Sequence, residues 1–303
     1  MLLPEIAAWS ARGRTISVFG QDVFVVEAGD PSAPALLLLH GYPTSSHDYA
    51  PTLDRLARHF RVVIHDHPGF GLSGKDPQWS GSLIEQAEIA LGVWSQLGVT
   101  RGHVVAHDYG TSVATEIVAR RERLGVPIGI DSLTLCNGSV HLELARPRLI
   151  QWLLADEQVG PWVARLSGRG LFGRNMRAIL ARKEVLDAGT LDTMWALLTR
   201  ADGLTALPRL TRYLHERRRY HHRWIGALTR LDLPTHILWG TEDPVALRAV
   251  AEALAGEIPG ARLTWLDGLG HYPMLEDPER WASEVIAFVA GIRATLPDGP
   301  RRT

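Results

Sequence analysis

The 303 residues carry 32 Lys and Arg against 33 Asp and Glu, a formal net charge of -1, so no global field favours nucleic acid or an anionic membrane surface. A hydrophobic share of 46% beside 21% charged residues describes a soluble globular chain with room for one large domain or a core carrying an insertion. The single cysteine, Cys136, excludes an internal disulfide framework; with no basic leader and no apolar run near the ~18 residues of a membrane span, a cytoplasmic location is expected.

Along the chain, Arg14 to Phe19 and Val23 to Glu27 predict two strands joined by a tight turn. Ala35 to Leu39 is a continuous apolar run, as in a strand buried on both faces, and it ends in His40-Gly41-Tyr42-Pro43. Arg61 to Asp66 predicts a strand leading into the glycine-rich stretch from Pro68 to Gly74. Ser82-Leu83-Ile84-Glu85 has the spacing of a capping box and opens a helix to about Leu97. Then His103-Val104-Val105-Ala106-His107 stops at Asp108, and a helical pattern runs from Thr111 to Leu124. A strand over Ile130 to Cys136 closes the first half.

From Ser139 to Trp224 the patterns are helical, with no convincing strand. Strands return at Thr235 to Trp239 and Arg262 to Leu266, with helices near Val245 to Ala255 and Pro278 to Ile292; Leu296 to Thr303 is a polar tail. Repeated β-then-α units predict an α/β fold with a mostly parallel sheet between two helical layers. Residues 1–138 and 226–303 form the expected core, and 139–225 a helical cap over the carboxyl ends of the strands, where open α/β sheets place their ligands.

Three of those strand ends carry chemistry. Asp108 sits on a sharp strand-to-helix turn flanked by Ala106 and Gly110, Asp243 follows the strand ending at Trp239-Gly240, and His271 follows the last strand. Nucleophile, acid and base in this chain order are the arrangement of an α/β hydrolase. A carboxylate nucleophile suits displacement at a saturated carbon, leaving an alkyl ester that a His-activated water must hydrolyse.

Together with His40-Gly41-Tyr42-Pro43, Asp66-His67-Pro68-Gly69-Phe70-Gly71, His107-Asp108-Tyr109-Gly110 and Gly270-His271-Tyr272-Pro273, the chain resembles the Asp-nucleophile branch of the α/β hydrolases from about residue 15 to 293. That branch contains epoxide hydrolases and haloalkane dehalogenases. Leu135-Cys136-Asn137-Gly138 and the stretch Arg223 to Leu228 look most like the mesoderm-specific transcript group. The resemblance implies an α/β-hydrolase fold with Asp108, Asp243 and His271 as the catalytic set. It also implies an oxyanion hole from the backbone amides of Tyr42 and Tyr109, and a cap tyrosine, Tyr213, as proton donor to an opening epoxide. Pro43 is expected to hold the first oxyanion loop in shape.

The dehalogenase pattern places Trp after the nucleophile and often Asn after the His-Gly pair; here those positions are Tyr109 and Tyr42, so epoxide opening leads. Against it, the second tyrosine usual early in the cap is missing from 139–160. Dehalogenation, with Trp152, Trp162, Trp195 or Trp224 supplying a halide N–H, stands second, and a non-catalytic ligand-binding member third. The expected partners are a small apolar organic substrate and water, with no cofactor, metal, nucleic acid or membrane. Tyr213, Arg217, Tyr220 and Trp224 share one helical face, and the basic run from Arg217 to Arg223 reads as the solvated side of a cap helix. The glycine pattern of 69–74 is read as a loop and not a dinucleotide fingerprint, because Lys75-Asp76-Pro77 follows where a helix is required. Ser112 falls inside a helical turn, away from the strand end. His65 and His67 are read as structural, and Cys136 as inert packing.

Overall fold

The computed structural model describes residues 2–138 and 140–295; the polar tail from Leu296 to Thr303 lies outside the described residues. One sheet organises the chain: β1 (Gly13–Val18), β2 (Gln21–Ala28), β3 (Ala35–Leu39), β4 (Arg61–His65), β5 (Arg101–His107), β6 (Gly129–Cys136), β7 (Thr235–Gly240) and β8 (Arg262–Leu266). Their order in space is β1-β2-β4-β3-β5-β6-β7-β8. β2 is antiparallel to both β1 and β4, and every pair from β4 to β8 is parallel.

The register explains the apolar runs. β3 lies between β4 and β5 with all five residues buried, because helices cover both faces of a parallel sheet. β1, at the edge, is exposed or half-buried from Gly13 to Ser17 and buried only at Val18. All eight strands lie where the sequence pattern puts them, within a residue or two.

Three helices escape that pattern: Pro4–Ala11, Ala50–Ala57 and the single turn Pro273–Glu276. Each is no longer than eight residues, too short for a helical period to stand out. The helix Leu83–Gln96 starts as predicted, with Ser82 Oγ accepting the Ile84 N–H. The predicted capping box is only half formed, since the Glu85 carboxylate takes the Ser80 hydroxyl instead.

Between β6 and β7 the chain inserts helices Leu149–Ala155, Gly160–Leu166, Arg169–Arg177, Ala188–Thr199, Gly203–Thr211, Tyr213–Arg219 and His221–Thr229. The last of these runs on past residue 225. Tyr220, with φ −103° and ψ 8°, separates the final two helices. The predicted stripe is therefore broken: Tyr213, Arg217 and Trp224 are buried, and Tyr220 is half-buried. Among the described residues, no helix is long and apolar enough to cross a membrane.

Candidate active site

β5 delivers Asp108 to the carboxyl edge of the sheet, and the helix Tyr109–Leu124 begins at the next residue. Asp108 has φ +44° and ψ −107°, a backbone state that side chains other than glycine rarely hold without surrounding support. Here the support is packing. A Cβ at Gly138 would lie 2.3 Å from the Asp108 Cα, and one at Gly110 would lie 2.6 Å from the Leu39 carbonyl oxygen. The turn thus fits against β3 and β6 only because those two positions lack side chains. The Asp108 N–H donates to the Cys136 carbonyl, and the Asp108 carbonyl accepts from Thr111 N–H and Oγ1.

The Asp108 carboxylate is buried, and its Oδ2 accepts the Tyr42 N–H at 3.0 Å. Tyr42 precedes Pro43 through a cis peptide bond. Tyr109, as first residue of its helix, has an N–H with no acceptor inside that helix, so both predicted oxyanion amides border Asp108. Its ring turns away, with the hydroxyl donating to the Gly81 carbonyl.

His271 and Asp243 meet as predicted, Nδ1 to Oδ2 at 2.7 Å, both buried. The other Asp243 oxygen, Oδ1, accepts the Val245 and Ala246 N–H groups, which fixes the carboxylate plane. Burial alone would depress the His271 imidazole. The charge and hydrogen bond of Asp243, with Asp108 and Glu276 behind them, instead push it up to about 9.

Residues that sequence reasoning did not assign hold this set in place. Asn137, at φ +41°, donates to Asp243 Oδ2 at 2.8 Å and accepts the Gly240 N–H, tying the end of β6 to that of β7. It lies inside Leu135-Cys136-Asn137-Gly138, so the motif was visible while its function was not. Glu276, also buried, accepts the N–H groups of Gly270 and Tyr272 on one side and of Ala181 and Arg182 on the other. The His271 N–H donates to the Ile179 carbonyl, so the insertion helps to position the imidazole. His107 donates from Nε2 to the His271 carbonyl at 2.7 Å; burial, with His271 nearby, holds it down at about 4 and therefore neutral.

The insertion brings Tyr213 and Arg217 to the same place. The Tyr213 ring packs on those of Tyr42 and Tyr109, centroids 5.6 and 5.4 Å apart, and the Arg217 guanidinium lies 4.6 Å from its centre. Burial first, and then the Asp108 charge, raise the Tyr213 phenol, so it stays protonated. Gln151 fixes the polarity of that hydroxyl. Its Oε1 accepts the Arg148 N–H, which leaves Nε2 to donate to Tyr213 Oη at 2.8 Å. The phenolic proton is thereby free for another acceptor.

Arg217 corrects the solvated-face reading of the basic run. It is buried, donates from Nε to Ser112 Oγ and from Nη2 to the Asp108 carbonyl, and stands 3.8 Å from Asp108 Oδ1. A buried guanidinium needs a charge partner, and Asp108 is the adjacent carboxylate. Ser112 is accordingly a helix residue that accepts from Arg217.

Beside these groups lies a mainly apolar cavity of about 90 Å³ bounded by Tyr42, Gln151, Met176, Trp195, Leu207 and His271. Of the four tryptophans considered as halide donors, only Trp195 borders it. Trp224 Nε1 donates to Glu116, Trp152 lies under Arg218, and Trp162 is exposed. The glycine-rich loop wraps a carboxylate of the chain itself: Asp66 accepts the Ser46 and Leu72 N–H groups, and a Cβ at Gly71 would lie 2.2 Å from Asp66 Oδ2.

This fold matches the family model for the alpha/beta hydrolase fold over residues 34–278, and the chain belongs to that family. Putative hydrolase LipZ of Mycobacterium tuberculosis is 37% identical over 289 residues, covering 95% of this chain and 99% of LipZ. The mesoderm-specific transcript protein of Mus musculus is 32% identical over 297 residues, covering 95% and 89%. Among solved structures, haloalkane dehalogenase DbeA from Bradyrhizobium elkani superposes with a TM-score of 0.80 at 22% identity, covering 94% of this chain and 99% of that one. Solved structures sharing the fold include both haloalkane dehalogenases and an epoxide hydrolase, so the fold does not choose between the two reactions.

Proposed function

We propose that this α/β hydrolase opens an epoxide to a diol through a covalent ester on Asp108. The observation that carries the reading is the phenol of Tyr213, oriented by Gln151 and packed on Tyr42 and Tyr109 beside Asp108, which offers a proton where a leaving oxygen would form. Residues 139–225 act as the cap that brings this donor to the core.

Asp108 Oδ2 is tied to the Tyr42 N–H, so Oδ1 attacks the ring carbon. The C–O bond breaks and the oxygen takes the Tyr213 proton. Forming the ester neutralises Asp108, which removes one of the charges that raise His271, so the imidazole gives its resting proton to solvent and becomes a base. A water then gives its proton to His271 and attacks the ester carbonyl. The oxyanion forms on Oδ2, where the Tyr42 and Tyr109 N–H groups stabilise it. Collapse returns the carboxylate and the diol, and the proton held by His271 restores the Tyr213 phenol. Gln151 stands in the early part of the cap, where the family's second tyrosine is missing.

Dehalogenation by the same nucleophile is the second reading, favoured by Trp195 in the cavity wall. A panel of epoxides and haloalkanes assayed for diol and halide separates the two. Diol formation is expected, falling about 100-fold in Tyr213→Phe. With a turned-over epoxide, His271→Ala is expected to accumulate an alkyl-enzyme seen as a mass increase, absent in Asp108→Asn. Halide release without epoxide turnover sinks the lead, and a proven substrate that leaves no adduct contradicts the two-step scheme.

A further inference from the structure

The base of the insertion holds a second cluster, away from Asp108. The chain leaving β6 carries His141 and Glu143, the returning helix His221–Thr229 begins with His221, and the core helix Arg248–Glu257 ends at Glu257. A ring nitrogen of His141, a Glu143 carboxylate oxygen and a His221 ring nitrogen all lie within 4.8 Å of one another.

The hydrogen bonds narrow which atoms can face a metal. His141 Nε2 lies 2.8 Å from Glu257 Oε2, and a carboxylate can only accept, so Nε2 carries the hydrogen. Nδ1 faces Glu143 Oε1 at 2.6 Å, a second acceptor, and either a hydrogen on Nδ1 or a cation between the two atoms satisfies that contact. His221 Nε2, buried and with no hydrogen-bond partner among the described residues, stands 3.7 Å from the same oxygen. Three atoms able to donate an electron pair thus converge, and a cation between them satisfies all three.

We propose that His141, Glu143 and His221 form a divalent-metal site, best matched to Zn²⁺, that ties the two ends of the insertion together. Two imidazoles and a carboxylate are a zinc donor set, and metal bonds of ~2.1 Å put ligand atoms roughly 3–3.5 Å apart, between the two contacts to Glu143 Oε1. Glu257 has the place of the outer carboxylate that fixes the tautomer of a ligating histidine. Glu143 is exposed while His141 is buried, so the site has an entry path and a position for water as fourth ligand. On binding, Zn²⁺ takes the Nδ1 lone pair, and any proton held there leaves to solvent. A cavity bordered by Glu143, His221, Arg217 and Arg218 links the site to the arginine beside Asp108.

The test uses the full chain stripped with chelator and then titrated with Zn²⁺ by calorimetry and with Co²⁺ by visible absorption. One saturable equivalent is expected, with a ligand-field band for Co²⁺ and a rise in Tm. Glu143→Gln and His221→Gln, both at solvent-accessible positions, should weaken binding at least about 100-fold, and Glu257→Gln about 10–100-fold. Absence of a saturable equivalent overturns the site and leaves His141 as a hydrogen-bonded bridge between Glu143 and Glu257. Binding that is unchanged in both Gln variants at the ligand positions overturns it equally, by placing the metal elsewhere.

Discussion

At the scale of single residues, the charge on Asp108 and the proton on His271 are coupled. Burial pulls the imidazole down, and Asp243, Asp108 and Glu276 outweigh it, bringing His271 to about 9. Removing the Asp108 charge in Asp108→Asn leaves burial and Asp243 in place, so the His271 midpoint must fall. Ring-resolved NMR titration should show a midpoint near 9 in the wild type and a clearly lower one in the variant. An unchanged midpoint would mean that the two groups do not sense each other, and that alkylation cannot free the base. Asp108, Asp243 and His271 were legible as a candidate set because each lies within five residues of the carboxyl end of a strand, where position along the chain fixes position in the fold. Gln151 and Glu276 were not. Their roles come from partners on other elements, Tyr213 elsewhere in the insertion for Gln151 and Ala181 of the insertion for Glu276, and no spacing rule connects such pairs.

At the scale of elements, the basic run of the insertion shows where pattern reading stops. Arg and His in succession on a helix read as solvated, yet the helices around Tyr220 lie on a core helix that offers a buried carboxylate. Glu116, fully buried on Tyr109–Leu124, accepts from Arg120 and Arg223 and from Trp224 Nε1. Glu216 answers from the insertion, accepting the Ser82 hydroxyl and the Leu83 N–H at the start of Leu83–Gln96. That contact takes the place predicted for Glu85, since a carboxylate at a helix N-terminus serves equally well from a neighbouring element. Helical period reports which face is apolar, but it cannot report which polar residues a partner will bury. Glu116→Ala leaves buried donors unpaired and should cost about 3 kcal/mol in urea unfolding. Arg223→Ala, at a half-buried partner, should cost about 1 kcal/mol or less. Equal costs would show that Glu116 is solvated and not a latch.

For the whole molecule, the sheet buries histidines that the reaction does not use, and they set its response to acid. His65 and His236 are held down at about 3 and His107 at about 4, each chiefly by burial, which disfavours the charged ring. A depressed folded-state value means that the unfolded chain binds the proton first. Their contribution is therefore complete above about 6.5 and is lost as pH falls toward 4 and 3. At pH 5 each such histidine favours the unfolded state by about 2 kcal/mol, and three together rival the ~5–15 kcal/mol that holds a domain folded. His271 works in the opposite direction: its raised value stabilises the fold fully below about 6.5 and ceases to do so as pH rises through about 9. Stability should therefore peak between those limits and fall steeply on the acid side. His65 isolates the acid effect, because neither of its ring nitrogens has a hydrogen-bond partner among the described residues and nothing polar is orphaned by removing it. His65→Leu should gain about 2 kcal/mol relative to wild type between pH 8 and pH 5, read from urea midpoints at the two pH values. The same offset at both would place the acid sensitivity in groups other than the histidines buried along the sheet.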